Sequence, residues 1–96
     1  MKYSQENYDK LSDFFKALAD PTRVKILFCL YKGEKAVGEI ANETETSQSA
    51  VSHQLRLLKD KRIVKQRREG RYIFYSIDDD HVEKLLMLGL DHIIHE

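Results

Sequence analysis

Residues 37–59 read VGEIANETETSQSAVSHQLRLLK, and this stretch decides the fold. Val37, Ile40 and Ala41 mark a short amphipathic helix ending near Thr44, while Val51, Leu55 and Leu58 recur at the i, i+4, i+7 spacing of a second helix. Glu45-Thr46 between them is a tight polar turn, and Thr46 or Ser47 offers a hydroxyl to cap the second helix. A short helix, a tight turn and a longer helix predict a helix-turn-helix over residues 37–59.

Upstream, Leu11, Phe14, Phe15 and Leu18 form one helical stripe. Asp20-Pro21-Thr22 then supplies an N-cap residue and a proline at the first helical position, opening a helix that turns Val24, Leu27 and Leu30 inward and stops near Lys32-Gly33. Downstream the rhythm changes to period two. Lys65 to Arg68 and Tyr72 to Ile77 read as strands joined by Glu69-Gly70, giving a wing over residues 64–77. Asp78-Asp79-Asp80 opens a last helix over residues 78–95. The expected architecture is mainly α with a small β-hairpin, one winged helix-turn-helix domain over residues 1–96. The last helix carries Val82, Leu85, Leu86, Met87, Leu88, Leu90, Ile93 and Ile94, apolar over more of its circumference than one core can cover. A homodimer formed through the first and last helices is therefore expected.

Ninety-six residues, 42% hydrophobic and 33% charged, bound the chain to one small globular core. A single cysteine, Cys29, excludes a disulfide framework and a cysteine-based zinc ribbon, and its place among apolar neighbours suggests a small buried side chain. No apolar run approaches the roughly 18 residues of a membrane span, and the polar N-terminus is unlike a signal peptide, so a cytoplasmic protein with no membrane partner is expected. The net charge of zero conceals a strong polarity. Residues 56–71 hold eight basic against two acidic side chains, and residues 72–96 hold one against six. A basic block on a neutral chain suggests a patch that faces a polyanion.

Gln48, Ser49, Ser52 and His53 occupy the first turns of the second helix of the motif, where hydroxyl, amide and imidazole groups can reach base edges in a major groove of double-stranded DNA. Arg56, and Arg67, Arg68 and Arg71 at the tip of the wing, suit the adjacent phosphates. No Gly-rich phosphate loop and no nucleophile–base arrangement is present, so neither catalysis nor a small-molecule substrate is expected.

Three of the four histidines lie in the last helix, as Asp79-x-His81 and His92-x-x-His95. His81 and His92 fall on the same face but about 16 Å apart along the axis, too far for one ion with bonds of about 2 Å. An antiparallel pair of these helices removes the difficulty, because Asp79 and His81 of one copy then meet His92 and His95 of the other. Two-fold symmetry makes two such sites, each with three imidazoles and a carboxylate. That donor set suits tetrahedral Zn2+, with Co2+ or Ni2+ also compatible.

Three segments carry a resemblance: Phe15 to Leu27 (FKALADPTRVKIL), Ser47 to Leu58 (SQSAVSHQLRLL), and the Asp-x-His-x10-His-x-x-His pattern of residues 79–95. In these the chain resembles the ArsR/SmtB family of metal-responsive bacterial repressors, and within it the CzrA/SmtB type of zinc sensors. The resemblance implies a zinc-responsive transcriptional repressor whose apo homodimer binds operator DNA and releases it when zinc binds between the C-terminal helices, derepressing metal efflux or homeostasis genes. It also implies an allosteric link from His92 to the backbone carbonyl of Arg62. Relatives that sense cadmium, lead or arsenite carry two cysteines where this chain has Ala36 and Gly38, so a thiolate site is not expected. The alternative is a winged-helix regulator that answers another signal, its histidines vestigial.

Overall fold

The structure, a computed structural model, describes residues 2–95. Five helices and three short strands follow one another as α1 (Gln5–Leu18), α2 (Pro21–Tyr31), β1 (Lys35–Ala36), α3 (Val37–Thr44), α4 (Gln48–Asp60), β2 (Val64–Glu69), β3 (Tyr72–Ile77) and α5 (Asp80–Ile94). The fold is the winged helix-turn-helix that the sequence predicts, with α3 and α4 as the motif and β2–β3 as the wing.

Short-range chemistry sets most of these boundaries. Ser4 begins α1 by accepting from the Asn7 backbone N–H while its own N–H donates to the Asn7 side chain. Asp20 accepts from the Arg23 N–H at the start of α2, with Pro21 in the first turn. Ser47 caps α4 through the Ala50 N–H, and Asp79 caps α5 through the His81 and Val82 N–H groups. Each such cap is worth about 1 kcal/mol of helix stability.

Both helices of the motif end in the same way. Glu45 follows α3 with φ 55°, its N–H donating to Asn42 O and that of Thr46 to Ala41 O. Arg62 follows α4 with φ 58°, its N–H donating to Lys59 O and that of Ile63 to Leu58 O. These paired bonds are Schellman motifs, whose left-handed position favours glycine because a Cβ there crowds the carbonyl oxygen. Exchanging Glu45 for glycine is therefore expected to stabilise the fold by about 1 kcal/mol. Thermal unfolding at fixed protein concentration should show a midpoint about 4–8 °C higher.

Inside lie Ile26 and Leu27 of α2, Ile40 of α3, Val51, Leu55 and Leu58 of α4, and Ile63 and Val64 at the root of the wing. No charged or polar side chain among the described residues is fully buried. Val24, expected inward, is only half-buried, and Ile26 takes the interior place, because the apolar arc of α2 is wide and tertiary packing selects its centre. The strands run antiparallel in the order β1-β3-β2. β1 was not anticipated, since two residues carry no period of their own and only pairing with Phe74 and Tyr75 defines them. The hairpin turn lies one residue later than expected. Glu69 pairs with Tyr72, leaving Gly70-Arg71 as the two-residue connection, with Gly70 at φ 61°.

The chain is more open than its length requires. Its radius of gyration is 14.3 Å, against about 12–13 Å for a compact domain of this size. Its accessible surface is 7037 Å², against about 5,700 Å². Large apolar side chains are part of that surface. Leu11 and Phe15 on α1 and Leu88, Ile93 and Ile94 on α5 are all exposed, while Phe14 and Leu18 pack partly on the core.

Candidate nucleic-acid interface and metal centre

The buried stripe of α4 fixes what the rest of the helix displays. At 100° per residue, Ser49, His53 and Arg56 lie within about 60° of arc, opposite Val51, Leu55 and Leu58. All three are exposed. Gln48 and half-buried Ser52 flank this stripe on the α3 side, where the Gln48 amide nitrogen lies against Gly38. Ala50, which the sequence reading passed over, is exposed on the other flank near the N-terminus of the helix, and an alanine methyl there suits contact with a thymine methyl. Arg23 braces α4 from behind: its Nε donates to Gln54 Oε1 at 2.8 Å, and its Nη1 to Ala17 O at 3.3 Å. This side chain ties α2 to both α4 and the end of α1.

The arginines of the wing differ in their surroundings. Arg68 and Arg71 make no ion pair among the described residues, although the Arg71 guanidinium lies 5.5 Å from the centre of the Tyr72 ring. Arg67 instead meets two carboxylates, Glu34 through Nη2 at 2.6 Å and Nε at 3.2 Å, and Glu69 through Nη1 at 2.9 Å. The hydrogen bonds from Arg67 hold the Glu34 carboxyl below its ordinary range, and those same bonds, to Glu34 first and Glu69 second, raise the Arg67 guanidinium above its own.

At the start of α5, Asp79, Asp80 and His81 are exposed, and their ligand atoms all lie within 4.8 Å of one another. The Asp79 carboxylate uses Oδ1 both to cap the helix and to approach His81 Nδ1 at 3.5 Å, which leaves Oδ2 available. Asp80 is engaged by Lys84 at 3.2 Å, and this partner holds its carboxyl low. At the far end His92 is exposed on the last turn, and His95 ends the helix with Nδ1 at 2.9 Å from Asp91 O. One chain thus presents Asp79 with His81 at one end of α5 and His92 with His95 at the other. These are oxygen and imidazole donors with no thiol, a set that fits Zn2+, Co2+ or Ni2+.

Cys29 is differently placed. It is buried on α2, donates from Sγ to Glu43 Oε2 at 2.8 Å, and shares that carboxylate with Lys35 Nζ at 2.8 and 2.9 Å. Burial first, and the bond to Glu43 second, push the thiol up to about 11. Such a thiol stays protonated at neutral pH and is a poor nucleophile or metal ligand.

Residues 20–66 match the family described as bacterial regulatory protein, arsR family. The chain is 42% identical over 90 residues to the transcriptional repressor SmtB homolog of Synechocystis sp., covering 94% of this chain and 68% of that one. It is 45% identical over 90 residues to the cadmium resistance transcriptional regulatory protein CadC homolog of Staphylococcus aureus, covering 93% and 74%. Among solved structures, the homodimeric winged helix-turn-helix DNA-binding domain Mb0332 of Mycobacterium bovis superposes with a TM-score of 0.88 at 31% identity, covering 100% of this chain and 92% of that one. No described helix is long and apolar enough to cross a membrane.

Proposed function

Since the chain belongs to the arsR family of bacterial regulatory proteins, and is therefore a DNA-binding transcriptional regulator rather than an enzyme, we propose that it is a zinc-responsive repressor acting as a homodimer on double-stranded operator DNA. The observation that carries the metal half of this reading is the distribution of donors along α5. Asp79 and His81 stand at one end, His92 and His95 at the other, with exposed Leu88, Ile93 and Ile94 on the same helix. A second copy running antiparallel covers that apolar surface and brings the two half-sets together. The surface in excess of a compact monomer, about 1,300 Å², is of the order that one partner buries in a stable interface. Exposed Leu11 and Phe15 of α1 extend the same interface.

For the DNA half, Gln48, Ser49, Ser52 and His53 read bases, while Arg56, Arg68 and Arg71 engage phosphates. Zn2+, as the bound ion, supplies a fixed point that joins the two α5 helices. Ligating histidines usually donate their second ring N–H to an acceptor, and the resemblance to the CzrA/SmtB type assigns that role for His92 to the carbonyl of Arg62, just after α4. This bond would link the dimer interface to the end of the recognition helix. The cadmium in the name of the Staphylococcus aureus relative does not transfer readily, because Ala36 and Gly38 offer no thiolate and Cys29 is held protonated.

The test is titration of a fluorescent operator duplex with the purified protein, with and without zinc. The apo protein should bind, and zinc should weaken binding by about 5–150-fold, the usual range of allosteric coupling. DNA binding that is unaffected by zinc would leave the chain a regulator that answers another signal.

A further inference from the structure

Arg67 differs from the other basic residues of the wing in what its guanidinium touches. Along β2, Val64, Gln66 and Arg68 share the face of the sheet that packs on the helices, through Val64 and their partners Ile77, Tyr75 and Ile73. Lys65, Arg67 and Glu69 occupy the opposite face. From there the Arg67 side chain crosses its register partner Phe74 on β3, with the guanidinium carbon 4.9 Å from the ring centre. It ends on Glu34, the residue before β1, in a two-pronged pair at 2.6 and 3.2 Å. One side chain therefore reaches from β2 across β3 to the residue that precedes β1.

This span lies where the ladder is shortest. The hairpin is joined by six register pairs from Val64↔Ile77 to Glu69↔Tyr72, but β1 meets β3 only at Lys35↔Tyr75 and Ala36↔Phe74. β1 leads directly into α3, so on the face of the sheet turned away from the core only these two register pairs join the hairpin to the strand that enters the motif. If Arg67 turned instead to a phosphate, Glu34 and Glu69 would be left uncompensated beside a polyanion.

We propose that Glu34 and Arg67 form a clasp that holds the wing at the angle at which its tip and the recognition stripe of α4 reach one duplex together. Arg67 is thereby a positioning residue and not a phosphate ligand. The inference rests on the DNA-binding reading above, and it adds Glu34, an acidic residue, to those on which recognition depends.

The probes are a duplex selected by the wild-type protein from a random pool and a scrambled duplex of equal length, titrated by fluorescence anisotropy over a salt series. E34Q and R67Q should each weaken the selected duplex by about tenfold, the order of one lost base contact, and leave the scrambled duplex and the log–log salt slope as in wild type. The charge-swapped double variant E34R/R67E should bind the selected duplex better than R67E alone, although Glu69 loses its partner in both. R68Q, by contrast, should flatten the slope by about one unit. A flattening of that size in R67Q makes Arg67 a phosphate ligand and overturns the clasp, as does an E34Q variant that binds as well as or better than wild type. Without DNA, backbone amides of β1 should exchange faster in both single variants, and unaltered exchange there overturns the clasp independently. A wild-type protein that binds neither duplex overturns the DNA-binding reading itself, before any variant is measured.

Discussion

Replacing His92 with alanine is expected to lower zinc affinity by about two to three orders of magnitude. A tetrahedral zinc site of protein ligands is worth roughly 10–16 kcal/mol, so each of four donors carries about 2.5–4 kcal/mol. The remaining three cannot make up the loss, since a water completing the shell forfeits the charge and orientation that a fixed imidazole supplies. Competition with a chromophoric chelator gives the affinity directly. His53→Ala is the control, because His53 lies on the exposed stripe of α4 and should leave zinc binding unchanged. The stoichiometry is part of the same expectation: one ion per chain, in a species that sediments as a dimer. A His92→Ala affinity within threefold of wild type would remove His92 from the site and the shared site with it.

Leu55→Ala is expected to destabilise the fold by about 2–5 kcal/mol. Leu55 is fully buried at the centre of the core-facing stripe of α4, so its truncation removes apolar contacts and leaves a cavity that the surrounding side chains fill only in part. A domain of this length has a total stability of about 5–14 kcal/mol, so the loss takes a large share of it. Leu57→Ala two positions away supplies the contrast. That side chain is 38% exposed and should lose about 1 kcal/mol or less. Urea unfolding of both variants beside wild type measures the difference, with a shifted midpoint and an unchanged slope. Equal effects would mean that α4 is rotated relative to the core, and with it the stripe of Ser49, His53 and Arg56.

The helix-turn-helix was legible because its signals are local. Val51, Leu55 and Leu58 repeat within one helix, and the caps at Asp20, Ser47 and Asp79 bond only two to three residues onward. What escaped the sequence is long-range. β1 exists only through pairing with residues nearly 40 positions away, and Arg67 meets Glu34 across 33. Nothing local in Arg67-Arg68-Glu69-Gly70-Arg71 says that the first arginine meets a carboxylate 33 residues away. Strand alternation sends Arg67 and Arg68 to opposite faces, and Phe74 with Glu34 makes the difference chemical. The proposed metal site rests on spacing alone. The spacing of the α5 donors makes a single-chain site too long, and that impossibility is what points to a partner.

The two left-handed positions on either side of α4 bear on how far this protein can change. Neither Glu45 nor Arg62 is the residue that its backbone favours, so a glycine at each position stands open as a single-step stabilising change of about 1 kcal/mol. The positions lie at opposite ends of α4, and effects at separate sites add. Substitutions in a folded chain destabilise it by about 1 kcal/mol on average and by about 0.5 kcal/mol or less at exposed positions, but several made together on one helix add up. Two such glycines would offset one or two of them. A library that varies Ser49, Ala50, Ser52, His53 and Arg56 for new operators should therefore yield more folded members on a Glu45→Gly background than on the native one. In evolutionary terms, the strained helix ends are a margin of tolerance that the family member has not used.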